Sequence, residues 1–98
     1  MFYSINNSAL NGYNKGAEGR QSTVLLIYEA YYKNLGENIA FYRRRKDITQ
    51  EMLAEIVDVH NVHMNRIEKG VSAASLDKIF AIADALGVEP YKLFQEKD

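Results

Sequence analysis

Two histidines three residues apart, His60 and His63, have a spacing that invites a metal site. A protein-bound zinc takes three or four side-chain ligands. The chain holds these two histidines and no cysteine, so neither a metal nor another cofactor is expected. The lack of cysteine also removes disulfides and thiol nucleophiles. No glycine-rich phosphate loop and no Ser/His/Asp set can be assembled, so an enzyme is not expected either. Arg43, Arg44, Arg45 and Lys46 form a basic run. It reads either as a nucleic-acid patch or as the cationic last turn of a helix. Tyr28, Tyr31, Tyr32 and Tyr42 offer stacking faces for single strands. Tyrosines at helical spacing more often pack with the hydroxyl at the rim. Asn61 and Asn65 carry amides able to pair with a base, yet outside a motif they are ordinary surface residues.

Composition frames these residues. The 98 residues carry 12 Lys+Arg against 13 Asp+Glu, a formal charge of −1, with 47% hydrophobic residues. That describes one globular domain with a tail. Charge overall gives no case for nucleic acid, so any such case must be local. The charges are unevenly placed: the cations of 34–69 are Arg43, Arg44, Arg45, Lys46, Arg66 and Lys69, whereas 70–98 is net acidic, so a near-neutral protein can still have a basic face. Three stretches follow. Residues 1–21 are rich in Asn, Ser and Gly and read as a flexible arm. Residues 22–34 are an almost wholly apolar and aromatic extension. Residues 35–98 alternate amphipathic segments with short breaks. The run Val24–Tyr28 is too short to span a bilayer and lacks the features of a signal peptide. A cytoplasmic protein without membrane contact is expected.

The third stretch predicts five short helices and no strand. Leu35, Ile39 and Tyr42 share one face of the first, which ends in the Arg43–Lys46 run. Asp47-Ile48 makes a corner. Thr49 caps a second helix, Gln50 to Val57, with Met52, Leu53, Ile56 and Val57 as its apolar side. After a break at Asp58, a third helix carries Met64 and Ile67 and stops at Gly70. Ser72 or Ser75 caps a fourth, whose inward stripe is Leu76, Ile79, Ile82, Ala83 and Leu86. Pro90 opens a last one, Pro90 to Phe94.

Gln50–Val57 and Asn61–Lys69, joined by a tight turn, have the form of a helix-turn-helix. Ala54 is small enough for a close crossing. Asp58 stands at a corner needing positive φ, which Asp enters at modest cost. With Thr49-Gln50-Glu51-Met52-Leu53-Ala54, Val59, Arg66-Ile67-Glu68-Lys69-Gly70 and Ala85-Leu86-Gly87-Val88 in register, the chain resembles the Cro/Xre-type helix-turn-helix regulators, including the lambdoid phage repressors. The resemblance covers about residues 35–94. It implies an all-α, five-helix lambda repressor-like DNA-binding domain, here with an N-terminal helical extension, whose third helix enters the major groove of double-stranded DNA.

Residue by residue, the resemblance implies a structural ion pair between Arg43 and Glu68. Gln50 corresponds to the residue that holds a phosphate at the start of the second helix. Asn61, Val62, His63, Asn65 and Arg66 fall on groove-facing positions, where Asn suits adenine, Arg suits guanine and Val a thymine methyl. Lys69 falls near the phosphates. The sequence also departs from the pattern. His60 replaces the usual Ser or Thr cap of the third helix, Asp58 replaces glycine, Ala74 stands where proline is common, and the Val71–Ala74 loop has no cation.

The extension admits two readings, a helix continuous with the first helix of the domain or a strand at Thr23 to Tyr28. An unpaired strand would expose its edges, which favours the helix. So apolar a helix must be covered, with Phe80 and Ala81 as a docking surface in the same or a second subunit, and it is expected to stabilise a homodimer. The function expected is a small transcriptional regulator, a homodimer on a palindromic operator, without a small-molecule effector. The alternative is a protein-binding module, antitoxin-like or adaptor, on the same fold.

Overall fold

The computed structural model describes residues 28–96. The arm at 1–21 and the first part of the extension, 22–27, lie outside the described residues, as does the choice between helix and strand there. Within the described residues the chain forms four α-helices and no strand: α1 (Glu29–Arg45), α2 (Gln50–Ile56), α3 (Asn61–Lys69) and α4 (Leu76–Leu86). A 3-10 turn, Pro90–Phe94, closes the fold. The expected fifth helix is therefore this tighter turn. Five residues opened by proline are too few for several α-helical hydrogen bonds, and 3-10 geometry suits so short a piece. None of the helices is long and apolar enough to cross a membrane.

Local chemistry sets each boundary. Thr49 Oγ1 accepts from the Met52 N–H at 3.0 Å and Ser75 Oγ from the Lys78 N–H at 3.3 Å, so both hydroxyls cap their helices. Of the two serines considered for α4, Ser75 does the capping. All four helices end in one geometry. Asp47, Asp58, Gly70 and Gly87 adopt positive φ, 61°, 57°, 77° and 71°. The following residue then bonds back across the last turn: Ile48 to Arg43 O, Val59 to Ala54 O, Val71 to Arg66 O and Val88 to Ala83 O, at 2.9–3.3 Å. These closures satisfy carbonyls that a helix end leaves open. Lys78 adds a cation to the end of α2, its Nζ donating to Val57 O at 2.8 Å and Asp58 O at 3.1 Å.

Every element gives side chains to one core, with Ile39, Leu53, Met64, Ile67, Ile79, Ile82 and Leu93 fully buried. Three residues assigned to apolar faces are instead exposed: Met52, Ile56 and Leu76, at 46%, 60% and 65%. A two-turn helix buries one narrow stripe, and Leu53, Ala54 and Val57 occupy it, which leaves Met52 and Ile56 on the flank. In α4 the buried stripe starts at Ile79, and Leu76, one turn earlier, projects beyond it. Phe80 is likewise exposed.

Helix α1 begins at Glu29, ahead of position 35, so the end of the apolar extension and the first helix of the domain are one rod. Its inner face carries two asparagines one turn apart. Asn38, 2% exposed, donates to Leu93 O at 2.9 Å and Gln95 O at 2.7 Å. Asn34 donates to Phe94 O at 3.1 Å. Asn38 clasps carbonyls that the irregular C-terminal turn would otherwise leave unpaired, which matters because a buried unpaired carbonyl is costly, whereas the Asn34 bond is exposed.

Candidate nucleic-acid interface

Helix α3 is held on one side and open on the other. Met64, Ile67 and Glu68 are buried. Its backbone lies directly against α1 at Gly36, where an added Cβ would meet the Ile67 carbonyl oxygen at 2.5 Å and the Glu68 carbonyl carbon at 2.8 Å. A glycine inside a helix weakens it by roughly 1 kcal/mol relative to alanine. Here the close approach of two backbones explains it.

Glu68 anchors α3 to α1. Arg43 Nε donates to Glu68 Oε2 at 2.7 Å and Nη2 to Oε1 at 3.1 Å, a two-pronged ion pair, while Nη1 donates to Ile48 O at 2.9 Å. Gln50, at the start of α2, donates from Nε2 to Glu68 Oε1 at 2.9 Å and accepts at Oε1 from Asn65 Nδ2 at 3.2 Å. Four side chains from three helices thus form one network. Among the described residues no buried side-chain nitrogen or oxygen lacks a partner.

The other side of α3 faces solvent. Asn61, Val62, Arg66 and Lys69 are exposed, and His63 and Asn65 are half-buried. Gln50 is half-buried beside them, its amide shared between Glu68 and Asn65. The helix start is capped by imidazole: His60 Nδ1 accepts from the Val62 N–H at 3.2 Å. Histidine thus fills the position of the usual hydroxyl. The one acidic side chain of α3 points inward and is neutralised by Arg43, so Arg66 and Lys69 give the open face a positive character. Exposed Asn and Arg amides and guanidinium, with a valine between them, are the donors, acceptors and apolar surface that the edges of base pairs accept.

Sequence reasoning did not identify Gly36, Asn38, Lys78 or the link from Gln50 to Asn65. Gly36 and Asn38 had a signal: a helix-weakening glycine and a polar residue on an otherwise apolar face. Lys78 had none, since its acceptors are backbone atoms of the turn after α2.

A helix-turn-helix family model matches residues 39–93. The control protein C.BamHI of Bacillus amyloliquefaciens is 41% identical over 49 residues, covering 50% of this chain. This chain spans 60% of that relative's length. The control protein C.SmaI of Serratia marcescens is 32% identical over 59 residues, covering 60% of this chain and 70% of that one. Among solved structures, the restriction-modification controller protein C.AhdI of Aeromonas hydrophila superposes with a TM-score of 0.64 at 31% identity, over 66% of this chain and 98% of that one. With its capped α2 and α3 joined by a short turn and these likenesses, the chain belongs to the Cro/Xre-type helix-turn-helix family of DNA-binding transcriptional regulators.

Proposed function

We propose that the protein is a small sequence-specific regulator that binds a palindromic operator in double-stranded DNA as a homodimer. In this reading α3 lies in the major groove. Asn61, Val62, His63, Asn65 and Arg66 face base edges, while Gln50 and Lys69 lie toward the backbone. The observation that carries it is the two-sidedness of α3, buried through Met64, Ile67 and Glu68 and exposed through Asn61, Val62, Arg66 and Lys69. A polar outer face is common to surface helices; this one favours DNA because it carries Asn61, Arg66 and Lys69 and no acidic group, Glu68 being turned inward onto Arg43. The likeness to proteins described as control proteins, one of them a restriction-modification controller, favours genes of such a system as the target.

Residues 35–98 would be the DNA-binding unit and 22–34 a dimer-stabilising extension. Self-association is supported by the exposed Leu76 and Phe80 on α4 and Tyr91 and Phe94 on the following turn, apolar groups that a second copy would cover. Removing residues 1–27 keeps all of Glu29–Arg45. Light scattering should then report a weaker dimer, and an unchanged one would take residues 22–27 out of the interface.

Duplex retention measured against salt tests the DNA reading. Affinity should fall steeply as salt rises, because phosphate contacts release counterions. Arg66→Ala and Asn61→Ala should fold normally and lose discrimination between sites. A parent protein that ignores duplex DNA at low salt, or variants that footprint like the parent, would overturn the assignment.

A further inference from the structure

We infer that Lys33 holds a phosphate of the operator backbone, so that the part of α1 ahead of residues 39–93, the stretch matched by the family model, grips DNA directly. The inference rests on the DNA reading above and goes beyond it, since Lys33 belongs to the extension and not to the helix-turn-helix.

The chain crossing at Gly70 places this lysine. Gly70 ends α3 at a φ of 77°, directly after Lys69. A Cβ built on it would stand 2.7 Å from Lys33 Cα, 2.9 Å from Lys33 N and 2.9 Å from Lys33 Cγ. The backbone of α1 and the stem of Lys33 therefore lie against the end of α3, with Gly70 buried and Lys33 exposed. A lysine laid down in this way keeps its ammonium in water, here just past the last turn of the recognition helix. Glu29 and Glu37 stand one turn to either side on α1, yet among the described residues Lys33 is ion-paired with neither.

That end of α3 is where a phosphate would run. The nine residues of α3 make a rod about 13–14 Å long, close to the roughly 12 Å width of the major groove. With Asn61, Val62 and Arg66 against base edges, the last turn reaches the rim of the groove, where contacts go to the sugar-phosphate backbone. Residues 71–74, which follow, carry no cation, so the positive charge at this end comes from Lys69 and Lys33. A purely structural Lys33 would only offset the negative end of the α3 dipole. The two roles differ in one observable: a phosphate contact releases counterions on binding, and a dipole contact does not.

Duplex binding measured from low to high salt tests this in the full chain, on a site selected with the parent, using the parent, Lys33→Met and Lys33→Arg. The slope of log affinity against log salt is taken per subunit, from the mass each protein shows by light scattering, and each melting temperature is recorded. Lys33→Met keeps the stem and removes the charge. It should flatten the slope by about 0.9 per subunit, with site preference and melting temperature unchanged. Lys33→Arg should keep the parent's slope. A Lys33→Met slope equal to the parent's, whatever its melting temperature, overturns the inference while the DNA reading stands. A flattened slope in Lys33→Arg as well does the same, because the charge would then not be what matters. A parent that does not bind the duplex overturns both.

Discussion

Replacing Gly36 with alanine sets two effects of opposite sign against each other. Alanine is the better helix former, by roughly 1 kcal/mol at an interior position. In an isolated helix the change would stabilise. Here the new Cβ would stand 2.5 Å from the Ile67 carbonyl oxygen and 2.8 Å from the Glu68 carbonyl carbon. Both are backbone atoms, so no rotamer change relieves the contact, and α3 must move away from α1 by roughly an ångström. A gap of that size forfeits a large part of the dispersion energy of the groups facing it. Overpacking in a dense core costs about 1–3 kcal/mol, and because the shift would also draw Glu68 away from Arg43, this case belongs at the upper end. Net of the gain in propensity, the variant should lose about 2 kcal/mol. For a domain this small that is a fall in Tm of roughly 8–16 °C. Thermal and urea unfolding followed by circular dichroism measure it. A melting temperature equal to or above the parent's would refute the close-crossing argument, because propensity alone would then have decided the sign.

Three further outcomes follow from the same packing. Arg43→Ala leaves the Glu68 carboxylate buried with Gln50 as its remaining donor, and should cost about 3 kcal/mol in urea unfolding. The double variant Arg43→Met/Glu68→Leu should recover much of it, and no recovery would mean that the charge is not what matters. Asn38→Ala leaves the Leu93 and Gln95 carbonyls without their donor and should cost about 2 kcal/mol, with faster amide exchange around Leu93. Gly70→Ala and Gly87→Ala both place alanine at positive φ. At Gly70 the Cβ would also stand 2.7 Å from Lys33 Cα, whereas at Gly87 the nearest neighbour is Lys46 Nζ at 3.5 Å. Gly70→Ala should therefore melt well below Gly87→Ala, and equal melting points would remove the Lys33 contact as a cause.

What the sequence revealed and what it hid divide along chain distance. Thr49, Ser75, Asp58 and Gly70 act on residues two to five positions away, so their caps and stops are readable from neighbouring residues. The registered motif made the α2–α3 pair and its family legible as well. Met52, Ile56 and Leu76 were misassigned because an apolar residue on a two-turn helix, or in a first turn, has the same local pattern whether or not a partner covers it. Asn38 bonds to residues 55 and 57 positions away, and Lys78 to the backbone oxygens of Val57 and Asp58, just beyond α2. Such pairings exist only after the helices have docked. The Gln50–Asn65 bond is of this kind too: each residue suggested a DNA contact, and neither suggested the other.

Hydroxyl-radical footprinting of the parent protein on a site selected from random duplexes tests the central claim most directly. Two recognition helices related by two-fold symmetry should protect two blocks on one face of the duplex, with centres about one helical turn, roughly 34 Å, apart. Arg66→Ala should lose both blocks together. A single asymmetric block would contradict the symmetric dimer, and no protection at concentrations where the protein is folded would contradict DNA reading by α3.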